Sequence, residues 1–128
     1  MPEVRFEGYL VIPDTEVVPE EITPNTGEKK IELTKEESDI VIHSLYVANP
    51  NSVLTKVTLR PLLEGRKDLK FIGLFEYGTK AVTFTPPIGP FKQGKLLMSA
   101  EGDGADKNVI VNIQYSRVKE GVPYEVED

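Results

Sequence analysis

The 128-residue chain contains no cysteine, no tryptophan and a single histidine, His43, and each shortage removes a class of chemistry. Without cysteine there is no disulfide framework, no thiol nucleophile and no Cys-ligated metal. With one imidazole, a histidine metal site or a Ser-His-Asp triad has only His43 to build on. Without tryptophan, a carbohydrate stacking platform would rest on tyrosines. No apolar run approaches the roughly 20 residues of a spanning helix. The opening Met1-Pro2-Glu3-Val4-Arg5 places charge where a signal peptide carries an apolar stretch, so a soluble chain with no membrane partner is expected. Basic residues are also short, 15 Lys and Arg against 21 Asp and Glu, for a formal charge of −6 with His43 neutral. Nucleic-acid surfaces are built on clustered Lys and Arg, so nucleic acid is not an expected partner.

What is present is one domain's worth of chain, long enough to bury roughly two-thirds of its unfolded surface without staples. Three zones differ in composition. Residues 1–29 carry Pro2, Pro13, Pro19 and Pro24, which block helix and interrupt sheet pairing; they read as an extended arm, with Arg5 to Ile12 its one strand. Residues 30–118 show short apolar runs punctuated by Gly, Pro, Asn and Asp, the spacing of a β-sandwich. Residues 119–128 form an acidic tail.

Within the middle zone, Ile40 to Ala48 is apolar on both alternations and reads as a central strand covered on both faces. The turn Asn49-Pro50-Asn51-Ser52 follows, and the half-exposed run Val53 to Leu59 completes an expected hairpin. Leu69 to Tyr77, Ala81 to Thr85 and Lys95 to Glu101 are further strands. Pro86-Pro87-Ile88-Gly89-Pro90 is expected to break the ladder, because three of its five residues lack an N–H. Val109, Val111, Ile113 and Tyr115 alternate with polar neighbours and give the last strand one dry face. The expected fold is all-β: a jelly-roll-like β-sandwich of about seven to eight strands. Its expected core comprises Ile40, Ile42, Leu45, Val47, Val57, Leu59, Phe71, Phe75, Val82, Phe84, Leu96, Met98, Val109, Val111 and Ile113.

No constellation in this pattern carries catalysis, and no cofactor motif is present. His43 has apolar strand neighbours, where a structural role is the commoner one. Glu101-Gly102-Asp103-Gly104-Ala105-Asp106-Lys107-Asn108 offers alternating oxygens, so Asp103 and Asp106 are the candidate Ca²⁺ ligands; the loop lacks the EF-hand spacing and its terminal bidentate Glu. A solvated hairpin loop is the preferred reading there. Arg60, Arg66, Lys67 and Lys70 lie close together in sequence; a solvated loop rim is the preferred reading, and an acidic partner surface is the alternative. Paired carboxylates such as Glu36 and Glu37 stand in polar surroundings that give no reason for a raised pKa. The absence of enzyme signatures leads to the expectation of a non-enzymatic protein.

The stretch Ile40 to Pro61, with its Tyr46-Val47-Ala48-Asn49 strand end, short turn and Val57-Thr58-Leu59, resembles the hairpin of small β-sandwich accessory proteins of tailed bacteriophages. The run from Pro86-Pro87-Ile88-Gly89-Pro90-Phe91 through Gly94-Lys95-Leu96 to Val109-Ile110-Val111-Asn112-Ile113-Gln114-Tyr115 is similar to their second half. The resemblance covers roughly residues 38–118 and carries no catalytic signature; residues 1–30 and the tail lie outside it. It implies a head decoration (cement) protein that binds and stabilises the virion shell, or else a tail or fibre component. The expected partners are the major capsid or tail protein, and the expected location is the virion. A symmetric homo-oligomer, a trimer foremost, fits such a role. Expected contact residues are Arg5, Phe6 and Tyr9 of the arm and Arg66, Lys67 and Phe91 at one sandwich end. The alternative from another class is a carbohydrate- or receptor-binding module. The prominence of Lys, Glu, Val and Ile with few Gln leans toward a thermophilic source.

Overall fold

The computed structural model describes residues 4–6, 9–34, 38–62 and 70–120, with side chains described from residue 15 to residue 118 of that set. Nine strands run through them: β1 (Val4–Phe6), β2 (Tyr9–Ile22), β3 (Lys29–Glu32), β4 (Asp39–Asn49), β5 (Thr55–Pro61), β6 (Phe71–Phe75), β7 (Gly78–Phe91), β8 (Lys95–Glu101) and β9 (Val109–Glu120). A single 3-10 turn, Lys92–Gly94, precedes β8, and there is no α-helix among the described residues. The strands form two antiparallel sheets, one ordered β1-β2-β9-β4-β7 and the other β3-β8-β5-β6. Packed face to face, they make a β-sandwich with one continuous core.

Period-two alternation places that core. In β9, Val109, Val111, Ile113 and Tyr115 point inward and are buried, as strand geometry requires of every second residue. Leu96, Met98 and Ala100 of β8 and Val57 and Leu59 of β5 meet them from the other sheet. Of the residues expected in the core, Phe71, Val82 and Phe84 are only partly buried, because β6 and β7 are edge strands. The Phe71 and Phe84 rings meet edge to face, 5.3 Å apart at 82°, and so link the edge of one sheet to the edge of the other. Ile22, Ile31, Leu33 and Phe91 are core residues that the sequence pattern did not point to.

Three expectations change. First, β4 and β5 do not form a hairpin: β4 pairs with β7 and β9, whereas β5 pairs with β6 and β8. Asn49 to Ser52 therefore carries the chain from one sheet to the other. Second, residues ahead of Lys30 are extended, but Tyr9 to Ile22 lies along β9 of the same chain. Because β1 covers only Tyr9, Leu10 and Val11, the rest of β2 has a free side on which Pro19, with no N–H to donate, is tolerated. Third, the proline run does not end β7. Between Ser44↔Thr83 and Ile42↔Ile88 four residues of β7, Phe84 to Pro87, stand against His43 alone of β4, a bulge after which pairing resumes. Gly89 is needed on the return: its φ is +142°, and a Cβ there would lie 2.9 Å from the Ile40 carbonyl oxygen.

A bulge in β4 faces that one. Ile42 pairs with Tyr115 and Ser44 with Gln114, so His43 is the extra residue. The phase shift explains how Ile40 and Ile42 on one side of it, and Leu45 and Val47 on the other, all reach the core.

The crossover after β4 is held by two buried asparagines. Asn49 Nδ2 donates to the Phe75 carbonyl at 3.0 Å, and Asn49 Oδ1 accepts from the backbone N–H and the side chain of Asn51. Asn51 Nδ2 also donates to the Lys107 carbonyl at 2.8 Å, while its Oδ1 accepts from the backbone N–H groups of Asp106 and Lys107. One side chain thereby ties the β4–β5 crossover to the β8–β9 loop. Asn51→Ala is expected to lower stability by about 2–3 kcal/mol, since buried groups of the loop lose their partners. Equilibrium urea unfolding measures this, and a loss below about 0.5 kcal/mol, typical of a surface substitution, would contradict the anchoring role.

Candidate functional site

The bulge places His43 beside Ser116 of β9, with Nε2 and Oγ 2.6 Å apart. A serine and an imidazole in hydrogen-bond contact form part of a nucleophilic constellation, and the sequence reading did not single out Ser116. Ser116 is only 1% exposed, so a substrate carbonyl has no access to its oxygen. Burial also pushes the His43 imidazole below its usual range, favouring the neutral ring. Next to this pair, Ser44 donates to Gln114 Oε1 at 2.8 Å. The arrangement closes a polar gap where the ladder is interrupted.

The Glu101 to Asn108 loop is organised from within. Asn25, with φ of 60°, donates through Nδ2 to the carbonyls of Gly102 and Ala105 and accepts the Gly102 N–H. Asn51 engages the Lys107 carbonyl, as described above. Three loop carbonyls that a hard cation would need are therefore already bonded to amides. Asp103 borders an open cleft of about 350 Å³ with Asn25, Lys56, Glu101, Gly102 and Gly104, where the Lys56 ammonium lies 3.3 Å from the Glu101 carboxylate. Asp106 does not border it. No group of three or more His, Cys, Asp or Glu residues suited to a metal occurs among the described residues.

Of the expected contact residues, Phe91 alone has a described side chain. Arg5 and Phe6 lie in β1 and Tyr9 opens β2, their side chains falling outside the described ones; Arg66 and Lys67 also lie outside the described residues. Phe91 ends β7 and is fully buried in the core, because pairing with Ile40 turns it inward. It is a packing residue with no surface to offer a partner. Of the basic group, Arg60 is engaged within the chain: its guanidinium grips both oxygens of Glu28, at 2.5 and 2.6 Å. That hydrogen bond holds the Glu28 carboxyl below the usual carboxylate range, though the pair is solvent-facing and adds little stability.

Exposed apolar residues occur on both sheets: Val17 and Tyr46 belong to the five-stranded sheet, and a group gathers at the edge of the four-stranded one. On the outward face of the four-stranded sheet, Ile72 and Leu74 of β6 are 53% and 58% exposed, and Leu54, just ahead of β5, is 53% exposed. Lys56 stands opposite Leu74 and Thr58 opposite Ile72, so Leu54 falls diagonally beside Leu74. The next residue beyond β6 but one, Tyr77, is 73% exposed and borders an apolar cleft of about 260 Å³ with Ala48, Asn49, Pro50, Gly78, Thr79 and Ile110. The outward face of β6 therefore carries an apolar stripe at the sandwich edge. Sequence alternation identified the residues; only the topology shows that β6 is an edge.

Compared with protein-family models and with curated proteins, the chain matches none.

Two titrations bound the stable pH range. His43 has a folded pKa below its unfolded value of 6.5, so the unfolded chain protonates first as pH falls. Its contribution is whole above 6.5 and is lost as pH drops through the folded pKa. Tyr115 behaves in the opposite sense. Its hydroxyl oxygen lies 2.6 Å from both the Leu33 carbonyl oxygen and a Glu16 carboxylate oxygen, with one proton for the two acceptors, and burial, then Glu16, pushes the phenol from 10.0 up to about 12. Its contribution is whole below pH 10 and is lost as pH rises toward 12. Urea midpoints across pH are expected to fall on both sides; His43→Gln flattens the step just below 6.5, and Tyr115→Phe flattens the alkaline one. Unchanged slopes in these variants would contradict the assignment.

Proposed function

We propose that the protein is a non-enzymatic structural protein of a tailed-phage virion, a head decoration or cement protein bound to the major capsid protein, with a tail or fibre position as the alternative. The observation that carries this reading is the apolar stripe of Leu54, Ile72 and Leu74, each more than half exposed on a sheet face. Contiguous exposed apolar surface of this kind marks interaction sites in soluble proteins. It stands on a hydrogen-bonded sheet, a rigid platform that presents side chains with little ordering cost on binding. Many copies, each making a modest contact, bind a repetitive shell by avidity. In this reading the sandwich is of the jelly-roll kind.

The test is quantitative mass spectrometry of gradient-banded virions of a tailed phage that encodes this chain. Abundance comparable to the major capsid protein is the expected result. A few copies per particle moves the role to the tail, and absence from the banded particles overturns the reading.

A further inference from the structure

A sandwich has free sheet edges, and proteins guard theirs with charge, proline, bulges or shortness. Beside the three-residue β1, whose side chains lie outside the described ones, three edges of this one are guarded. The free part of β2 carries Glu16, Pro19, Glu20 and Glu21. β7 carries three prolines and a bulge. β3 has only four residues, three of them charged. The fourth edge, β6, reads Phe71-Ile72-Gly73-Leu74-Phe75: no charge, no proline, and pairing with β5 in unbroken register. Its outward residues Ile72 and Leu74 are the exposed ones.

The order of residues along this edge indicates its occupant. Around Gly73 the sequence is symmetric in chemistry, with Ile72 and Leu74 as the inner pair and Phe71 and Phe75 as the outer pair. Beyond them, exposed Lys70 balances exposed Glu76. We propose that β6 pairs antiparallel, centred on Gly73, with β6 of a second copy of this chain.

In that register Ile72 meets Leu74 of the second copy, Phe71 meets Phe75, and Lys70 meets Glu76, each contact occurring twice by the two-fold axis. Opposite residues of an antiparallel pair share a face, so the exposed stripes join outside, while partly buried Phe71 and buried Phe75 stay on the core side. The two four-stranded sheets become one of eight. Glycine suits the centre, because a Cβ at residue 73 would come within 2.7 Å of both the Phe71 and Phe75 rings, which close over it. A shift of two residues places Ile72 against Glu76 and moves Lys70 away from Glu76 of the second copy, so the charges favour the register centred on Gly73. An isologous pair of this kind builds dimers, whereas a trimer requires a heterologous contact.

The pairing does not rest on a virion role, since purified protein forms it or fails to. Sedimentation equilibrium of the full chain is expected to give a dimer of twice the 14.3 kDa protomer mass. Leu74→Lys, at a surface position, is expected to weaken the dimer roughly 100-fold by putting a charge into the joined edge, with the circular dichroism spectrum unchanged. Glu76→Lys is expected to weaken it roughly 10-fold, and Glu76→Lys combined with Lys70→Glu to recover most of that loss. A monomer at high concentration, a trimer, or a dimer indifferent to Leu74→Lys overturns the proposal. Failure of the double variant to recover overturns the register.

Discussion

The inward face of β9, formed by Val109, Val111, Ile113 and Tyr115, is the contact on which the rest of the structure depends. β9 lies between β2 and β4 in the five-stranded sheet, so the first long strand of the chain is held in the sheet by the last. The same face packs against β8 and β5 of the other sheet. Burying a large aliphatic side chain is worth about 1.5–3 kcal/mol, and most of this strand's inward residues contribute at that scale. The contacts are remote in sequence, Ile22 opposite Val109 at one end and Tyr9 opposite Glu120 at the other. Topologies of this kind fold slowly, because long loops close before contacts reward them.

Polar residues set the geometry that the core alone leaves open. Asn51 joins the β4–β5 crossover to the β8–β9 loop, and Asn25 holds that loop from the other side. His43 is the residue by which β4 changes phase, and its bond to Ser116 satisfies two polar groups where the ladder is broken. A histidine in hydrogen-bond contact with a serine looks catalytic in isolation. In its setting the serine is buried and the imidazole is held neutral, which gives the pair a structural task.

Much of the fold is legible in the sequence, and what is not has identifiable causes. The alternation of Val109, Val111, Ile113 and Tyr115, and of Leu96, Met98 and Ala100, assigns strand and face directly, because period two has one structural meaning. Turn chemistry at Asn49 to Ser52 shows that the chain turns, but not which sheet the next strand enters, so the apparent hairpin is a crossover. Prolines in β2 and β7 look like breaks because local reading has no knowledge of free edges and bulges. Phe91, following a proline run, resembles a loop residue until the returning strand turns it into the core. For the candidate site, Ile72 and Leu74 stand out as alternating apolar residues, while their exposure depends on the order β3-β8-β5-β6, which no local pattern encodes. Ser116 looks like an ordinary polar position on the wet side of β9.

The sheet edges differ in how they are protected. Charge and proline seal β2, β3 and β7, and β6 presents a flat apolar edge that ends in one basic and one acidic residue. The measurement that tests this most directly is backbone amide exchange of the full chain as a function of its own concentration. Protection of Phe71 to Phe75 is predicted to rise with concentration while β9 stays protected throughout. Exchange in β6 that is indifferent to concentration, or a rise confined to another strand, would contradict the account.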